Sequence, residues 1–323
     1  MGKYNKLREG KKYIYLFSVY DFLMHSLGLF HLKARIKQKI LFRKLKREDE
    51  QKKRQIEELI YAMPDGLIEN MYENNDFVFS LTSYSDRVLD ALPYALYSII
   101  IQTIKPKKIV VYLDNVHWND ENLPDILKKI RSIGVDFRFC EDIRSYKKLI
   151  PALKDFPENP IITLDDDFYY NKDYHEWMRI AYEKSDKKTV LGQWGCIPEK
   201  KDGKYIPYNE WKDIKYMKEG DEVSFFGCCC CCYPPKIFDD EILNQEIFMK
   251  LCPTADDIWF WIMEKRQGIK TKLIEPHGYG FNTSVNRIEE YDLKQTGTLM
   301  YQNVTGGKNN QQLKDLLKYY NIE

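Results

Sequence analysis

The sequence predicts an α/β fold, with a mostly parallel sheet flanked by helices and a basic helical extension in front of it. Between residues 76 and 164, short apolar runs alternate with segments of helical period, and this alternation is typical of βαβ units that build a parallel sheet. Clusters of polar residues follow the apolar runs at their carboxyl ends, where such sheets bind ligands. With 323 residues the chain has room for one large domain or two modest ones.

The elements of this sheet are predicted in order along the chain. Four apolar runs are the predicted strands, at residues 76–81, 108–113, 135–140 and 160–164. The segments between them place apolar residues at helical spacing and are the predicted helices, at residues 87–103, 124–133 and 145–156. Further along, we predict a helix within residues 252–265, a strand at 271–275, and a loop and helix at 303–320.

Charge is spread unevenly along the chain, although the formal net charge is only +1. Residues 1–60 contain 16 Lys and Arg against 7 Asp and Glu, a net of +9, and the remainder contains 34 against 42, a net of −8. A basic leader before an acidic body indicates that the leader meets an anionic partner. We expect that partner not to be a nucleic acid.

The leader is predicted to be helical and to lie on an anionic membrane surface through residues 13–47. Residues 13–32 are apolar, but Asp21 interrupts them at a cost that a membrane-spanning helix does not tolerate well. Residues 33–47 place apolar side chains at helical spacing among Lys and Arg, as interfacial helices do. The alternative is an ordinary helix docked on the body or on a partner.

We divide the chain into a leader (1–70), a main domain (71–290) and a tail with a helix (291–323).

Four polar clusters lie at the predicted carboxyl ends of successive strands. They occupy residues 82–87, 114–115, 141–148 and 165–167. Because the carboxyl ends of parallel strands share one edge of a sheet, a nucleotide-type pocket is expected at that edge.

The sharpest of these clusters is the triplet Asp165, Asp166 and Asp167, directly after an apolar strand. Three adjacent carboxylates repel one another, and a bound cation would relieve the repulsion. Oxygen ligands favour Mg²⁺ or Mn²⁺ over zinc, and such an ion can stabilise a leaving diphosphate. The alternative is a solvated acidic turn or a helix N-cap.

Over residues 76–280, this ordered set resembles the GT-A glycosyltransferases, particularly the family-2-like enzymes of bacterial cell-surface polysaccharide synthesis. The segments "SYKKLIPAL" (145–153) and "ADDIWFWIM" (255–263) are similar to segments of those enzymes, and the triplet matches their DxD motif. The residues that match their nucleotide-contacting loop and base-contacting Asp are Thr82, Ser83, Tyr84, Arg87 and Asp114.

The resemblance implies a nucleotide-sugar donor, with a UDP-sugar as the first candidate, and Mn²⁺ or Mg²⁺ as cofactor. In this interpretation Asp167 binds the metal directly, Asp165 binds the metal through water or holds the ribose, and Asp166 adjoins the donor. The resemblance also implies a third metal ligand or diphosphate contact at His277, although a lone His is more often structural.

Two neighbouring lysines, Lys147 and Lys148, follow the third predicted strand. Either one could neutralise the diphosphate of the donor. The alternative is that both belong to a solvated helix face.

A second acidic pair, Asp256 and Asp257, opens the predicted helix within residues 252–265. The two side chains are about 100° apart around the helix axis and cannot face one site equally. Asp257 shares its face with aromatic residues, where partial desolvation would raise its pKa towards that of a general base. The resemblance places the base of an inverting transfer in this motif, and we assign it to Asp257, with Asp256 in reserve. The alternative is a pair favoured by the helix dipole alone.

The acceptor or sugar pocket is assigned to Gly227, Tyr233, Trp259 and Trp261. Core packing is an equal alternative for the two tryptophans. In the family that the chain resembles, a glycine-rich segment ending in Tyr-Pro-Pro lies near donor and acceptor, and here the run Cys228–Cys232 replaces most of its glycines. Five adjacent thiols cannot converge on one zinc ion from a strand, because successive side chains point to opposite faces. A small-residue strand is the favoured interpretation of this run.

The sequence therefore predicts a metal-dependent, inverting glycosyltransferase that uses a glycan or lipid-linked acceptor. Cysteine spacing does not match a secreted disulfide scaffold, so the expected location is cytoplasmic, peripheral on the inner face of the membrane. The rivals are a sugar nucleotidyltransferase, which would want a glycine-rich basic loop after the first strand, and a non-catalytic glycan-binding or thiol-rich protein.

Overall fold

The computed structural model describes residues 29–68, 76–227, 230–275, 282–287 and 301–323. The side chains of 29–35 and 301 lie outside this description. The chain forms two compact units, one up to Gln51 and one from Lys52 onward. The division into leader, main domain and tail stays a prediction.

Helices alternate with strands through most of the second unit. The α-helices are α1 (Leu29–Ala62), α2 (Arg87–Asp90), α3 (Leu92–Ile100), α4 (Asp125–Ile133), α5 (Ile150–Asp155), α6 (Tyr174–Glu183), α7 (Gln245–Leu251), α8 (Asp256–Gln267) and α9 (Lys308–Tyr320). Shorter 3₁₀ turns lie at Arg144–Lys148, Tyr208–Glu210, Ile214–Tyr216 and Asp240–Leu243, and a π-turn lies at Tyr301–Thr305.

The strands comprise a main set and several two- or three-residue pieces. They are β1 (Val78–Thr82), β2 (Lys108–Asp114), β3 (Asp136–Cys140), β4 (Ile161–Leu164), β5 (Phe168–Tyr169), β6 (Val190–Gly192), β7 (Gly195–Ile197), β8 (Lys200–Lys201), β9 (Lys204–Tyr205), β10 (Lys212–Asp213), β11 (Ser224–Phe225), β12 (Cys231–Tyr233), β13 (Thr271–Leu273) and β14 (Thr283–Ser284).

The central sheet has seven strands in the order β13-β6-β12-β4-β1-β2-β3. β12 runs antiparallel to both of its neighbours, and every other pairing in the sheet is parallel. The predicted α/β fold with a mostly parallel sheet flanked by helices is therefore confirmed. The four predicted strands agree with β1 to β4 to within two residues.

Two of the predicted helices are each divided in two, and proline accounts for both divisions. The segment 87–103 forms α2 and α3, with Pro93 in the first turn of α3. The segment 145–156 forms the 3₁₀ turn Arg144–Lys148 and then α5, with Pro151 in its first turn. Proline has no N–H to donate inside a helix and is tolerated in a first turn, so each proline marks a new start.

Apolar side chains cover both faces of the sheet. Along β2, Val111 belongs to one core cluster and Tyr112 to the other, with both buried. The same alternation holds in β12, where Cys232 faces the first cluster and Cys231 the second. A sheet that is buried on both faces reads in the sequence as continuous apolar runs, which explains why these strands were predictable.

The first unit contains most of helix α1, whose exposed side chains include Ile36, Ile40 and Leu41 among Lys and Arg. Attachment of residues 13–47 to an anionic membrane surface stays a prediction, and residues 13–28 lie outside the described part of the chain. Flotation with anionic and with neutral vesicles would measure this attachment. In the described residues, no helix has the length and apolar character needed to cross a membrane.

Candidate active site

The acidic triplet begins one residue after β4 ends, at the edge where β1 also ends. Arg87 lies against it: its Nη1 is 3.2 Å from Asp166 and its Nη2 is 2.9 Å from Asp167. The hydroxyl of Ser83 donates a hydrogen bond to Asp166. Burial raises the pKa of Asp166, although Arg87 and Ser83 both stabilise its ionised form. The loop after β1 therefore folds directly onto the triplet.

Lys148 joins the triplet to the second acidic pair. Its Nζ is 3.3 Å from Asp165 and 3.2 Å from Asp256, and the side chain is almost fully buried. The 3₁₀ turn that carries Lys148 is anchored through Tyr146, whose ring stacks on Phe248 with centroids 4.1 Å apart. One buried ammonium thus links two carboxylates that are 91 residues apart in the sequence.

Lys147 points away from the triplet. It is as buried as Lys148, but its ammonium pairs with Asp142 in the loop after β3. The sequence offered either lysine as a partner of a diphosphate, and contact of either one with a diphosphate stays a prediction. Lys148 is the lysine that lies in the candidate site.

The other residues that the sequence assigns to binding of the nucleotide-sugar donor lie at the same edge of the sheet. Thr82 donates a hydrogen bond to the carbonyl of Tyr112 at 2.8 Å. Tyr84 is exposed, and the guanidinium of Arg87 lies 5.5 Å from its ring centroid. Asp114, at the end of β2, is buried and accepts the backbone N–H of His117 at 2.9 Å. Contacts of these residues with a nucleotide stay predictions.

Asp256 and Asp257 face different partners, as their spacing on α8 requires. Asp256 pairs with Lys148, whereas Asp257 accepts a hydrogen bond from the hydroxyl of Tyr208 at 3.2 Å. Burial and the neighbouring charge of Asp256 raise the pKa of Asp257 to about 6, and Lys148, the N–H of Ile258 and Tyr208 act against that rise. A carboxyl with this pKa is mostly ionised at neutral pH and still able to take a proton. Nothing in the sequence near Asp257 pointed to Tyr208.

Gly227 lies beside the ion pair of Lys148 and Asp256. A β-carbon at this position would collide with Nζ of Lys148, and it would lie 3.0 Å from Cε of Lys148 and 3.6 Å from Oδ2 of Asp256. Only a residue without a side chain therefore leaves the Lys148 ammonium in place, and the assignment of Gly227 to an acceptor or sugar pocket stays a prediction.

Gly227→Ala is expected to displace the Lys148 ammonium and lower kcat/KM for the donor by about 100-fold, the usual cost of moving a group of the active site by about 1 Å. Steady-state kinetics with the thermal unfolding temperature as a control would measure this. An alanine variant with unchanged kinetics would mean that the ammonium can shift without consequence.

Trp259 and Trp261 of α8, and Tyr233 of β12, are buried in the core, each with at most 3% of its surface exposed. The indole of Trp259 donates to the carbonyl of Ile242 at 3.2 Å, and that of Trp261 donates to Glu222 at 2.8 Å. The side chains pack in the core, which the sequence left as an equal alternative for the tryptophans, and contact of these residues with an acceptor or sugar stays a prediction. Helix α8 is apolar around most of its circumference, so periodicity could not single out a ligand-facing side.

The described part of the cysteine run forms a strand in the middle of the sheet. Cys231 and Cys232 lie in β12 between β4 and β6, with Cys230 just before them, and all three are buried. Burial raises the pKa of the Cys232 thiol well above its ordinary value. These are properties of small core residues, as the favoured interpretation of the run predicted. Cys228, Cys229 and His277 lie outside the described residues.

The metal prediction meets a different arrangement. Within the described ranges, no three His, Cys, Asp or Glu side chains come together to hold an ion. The carboxylates of the triplet face Arg87 and Lys148 instead. As placed, the triplet is paired with protein cations, and dependence on Mn²⁺ or Mg²⁺ stays a prediction.

No protein-family model matches the chain, and no curated protein matches it. Among solved structures, the chain is similar to S. aureus TarS 1–349 in complex with UDP, a GT-A-like glycosyltransferase, with 16% identity and a TM-score of 0.37 over 62% of this chain. The chain spans 59% of that TarS structure, less than two thirds of its length.

It is also similar to two nucleotidyltransferases. One is CMP:2-keto-3-deoxy-manno-octonic acid synthetase complexed with CTP, with 10% identity and a TM-score of 0.42 over 71% of this chain and 100% of the other. The second is a cytidylyltransferase from Leptospira borgpetersenii serovar Hardjo-bovis, with 13% identity and a TM-score of 0.37 over 77% of this chain and 94% of the other. The fold assignment rests on the strand order and directions of the chain's own sheet.

Proposed function

We propose that this protein is a glycosyltransferase that moves a sugar from a nucleotide-sugar donor to a hydroxyl group of a glycan or lipid-linked acceptor. The observation that carries the proposal is the position of Lys148. Its ammonium pairs with the triplet at the nucleotide edge of the sheet and with the acidic pair at the start of α8. A cation for a leaving diphosphate is thereby held against Asp256, the neighbour of the proposed base Asp257.

In the proposed reaction, Asp257 takes the proton of the acceptor hydroxyl as that oxygen bonds to the anomeric carbon of the donor sugar. The bond from that carbon to the diphosphate oxygen breaks, and the nucleoside diphosphate leaves with the electron pair. Lys148 and Arg87 supply positive charge beside the leaving group. Attack opposite the leaving group inverts the configuration at the anomeric carbon.

The pKa of about 6 supports the role of Asp257 in this scheme. A base with this pKa is ionised at pH 7 without becoming too weak to accept a proton. Tyr208 holds one carboxylate oxygen, and the backbone N–H of Ile258 lies 3.0 Å from the other. Both contacts orient the group.

The sugar nucleotidyltransferase is the second candidate, and the loop after β1 argues against it. Residues 82–87 contain no glycine to bring backbone N–H groups close to a triphosphate. A nucleotidyltransferase would release pyrophosphate from a nucleoside triphosphate and a sugar phosphate or sugar acid. A glycosyltransferase would release nucleoside diphosphate from a nucleotide sugar.

The test is to assay both products with purified full-length protein. Nucleotide sugars and nucleoside triphosphates are supplied in panels, with Mn²⁺ and then with chelator, to wild type, Asp257→Asn and Asp167→Asn. Release of nucleoside diphosphate from one nucleotide sugar that is lost in Asp257→Asn supports the proposal, and loss in chelator and in Asp167→Asn would support metal dependence. Pyrophosphate release, or no turnover of any donor, would overturn it.

A further inference from the structure

The loop before α8 is tied to the C-terminal segment by buried hydrogen bonds. The backbone N–H of Thr254 donates to Oε1 of Gln312 at 2.9 Å, and its hydroxyl lies 2.8 Å from Oδ1 of Asn303. Nδ2 of Asn303 donates back to the carbonyl of Thr254 at 2.6 Å. All three residues are at most 9% exposed. Thr254 thus has its N–H, its hydroxyl and its carbonyl fixed by one segment.

The same segment holds a second loop. The backbone N–H of Asn209 donates to Oδ1 of Asn310 at 3.0 Å, and its Nδ2 donates to the carbonyl of Val304 at 2.9 Å. Residues 303–312, which we call the C-terminal clamp, therefore bind two loops that are 45 residues apart in the sequence, at Asn209 and Thr254.

These two loops carry the two partners of one hydrogen bond. Tyr208 precedes Asn209 directly, and Asp257 follows Thr254 by three residues. The hydroxyl of Tyr208 donates to Asp257 at 3.2 Å. Ala255, the residue just before α8, has no polar side chain to cap the helix, and the Thr254 network holds the residue that precedes it.

We propose that the C-terminal clamp is a positioning element, which holds Tyr208 against Asp257 and keeps the Asp257 carboxylate shielded from water and aimed at the acceptor. The proposal deepens the function proposed above and rests on the role given there to Asp257. In this proposal the clamp acts on Asp257 through the two loops that it binds.

The groups around Asp257 determine how a change in the clamp would alter the pKa of this carboxyl. Asp256 raises its pKa, Lys148 and the Tyr208 hydroxyl lower it, and burial is the largest influence and raises it. Cys196 lies on the same side, and its own pKa is raised by burial and by Asp257. If the loops loosen, water reaches the carboxyl and the influence of burial falls, so its pKa moves down towards the ordinary value for Asp.

The test compares matched variants at both loops. Thr254→Val removes the hydroxyl at nearly constant shape, and Thr254→Ser keeps it. Asn310→Leu removes the acceptor for the N–H of Asn209, and Asn310→Asp keeps an acceptor there. Asp257 is titrated by NMR of full-length protein labelled with ¹³C at the Asp carboxyls, and its signal is identified by its loss in Asp257→Asn.

For Thr254→Val and Asn310→Leu we expect the pKa of Asp257 to fall by about one unit and kcat to fall by roughly 10-fold at unchanged donor KM, because general-base catalysis depends on a matched pKa. Thr254→Ser and Asn310→Asp should behave as wild type. The proposal is overturned if Thr254→Val and Asn310→Leu lower only the thermal unfolding temperature. In that case the titration of Asp257 and the pH profile of kcat are unchanged, and the clamp is merely structural.

The NMR titration needs no turnover, so it separates this proposal from the proposed function. A wild type that turns over no donor, together with a shifted Asp257 in the Val variant, would sink the glycosyltransferase proposal and leave the clamp as a device that sets this carboxyl. If the wild type turns over a donor and the pKa of Asp257 is unchanged in Thr254→Val, the glycosyltransferase proposal stands and the clamp proposal is overturned.

Discussion

Replacing Lys148 by methionine is expected to abolish measurable sugar transfer and to destabilise the protein strongly. Methionine keeps most of the length of the side chain and removes the charge. Asp256 would be left buried beside Asp165 without its cation, and removing one partner of a buried ion pair costs about 3–5 kcal/mol. Steady-state kinetics and the free energy of unfolding from denaturant titration measure the two effects.

The loss of activity and the loss of stability can be separated by a second substitution. In Lys148→Met with Asp256→Asn, the buried charge of Asp256 is removed as well, so much of the stability should return. Activity should not return, because no ammonium lies beside the triplet. Recovery of turnover together with stability would show that Lys148 serves only to neutralise Asp256.

Lys147→Met is the matched control for this experiment. Lys147 is the next residue, is equally buried and also forms an ion pair, but with Asp142 away from the triplet. We expect it to lower stability while folded protein keeps its activity. If the two methionine variants lose activity to the same degree, the effect comes from the 3₁₀ turn and not from the charge of Lys148.

The sheet was predictable from the sequence because its strands are buried on both faces and stand out as apolar runs. The two divided helices were not predicted, although Pro93 and Pro151 marked both of the new starts. The helical spacing of apolar residues continues across a break of one residue. A prediction from periodicity alone therefore treats two short helices as one.

The acidic groups of the site were also predictable, because each is a local pattern next to an element boundary. The residues that hold these acidic groups in place were not predictable. Lys147 and Lys148 are adjacent in the sequence, and only the 3₁₀ turn decides which of them faces the triplet. Tyr208 is 49 residues from Asp257, and no local pattern connects them.

Arg87 shows how a predicted site residue can have an unexpected partner. The sequence placed it in the donor loop, and the structure brings its guanidinium to Asp166 and Asp167. The repulsion within the triplet led to the prediction that a bound cation relieves it, with Mg²⁺ or Mn²⁺ as the favoured ion. A cation from β1's own loop meets the same electrostatic need, and from the sequence alone the two solutions look alike.

Asp257→Asn is expected to lower kcat by about 10²–10⁴-fold, the usual contribution of a general base, and to raise the stability of the protein at neutral pH. The pKa of the folded protein's Asp257 is about 6, against 3.8 as the ordinary value. The fold therefore disfavours the ionised carboxylate. Asparagine has no charge to bury and can still accept the hydrogen bond of Tyr208.

The sign of the stability effect fixes its pH dependence. Below pH 3.8 the carboxyl is protonated in both the folded and the unfolded chain, so it makes no difference to stability through its charge. Between about pH 4 and pH 6 the unfolded chain loses the proton first, and the wild type loses stability as the pH rises. The advantage of the Asn variant should thus be absent at pH 3.5 and full above pH 6, which thermal unfolding across this range would measure.

The pH profile of wild-type kcat completes the test, because the base acts only when ionised. We expect kcat to rise through an apparent pKa near 6. Asp256→Asn removes a negative charge that raises this pKa, so in that variant the acidic limb should move to lower pH, whereas in Asp257→Asn the limb should vanish with the activity. A limb that stays near pH 6 in Asp257→Asn would assign the titration to another group and remove Asp257 from the reaction.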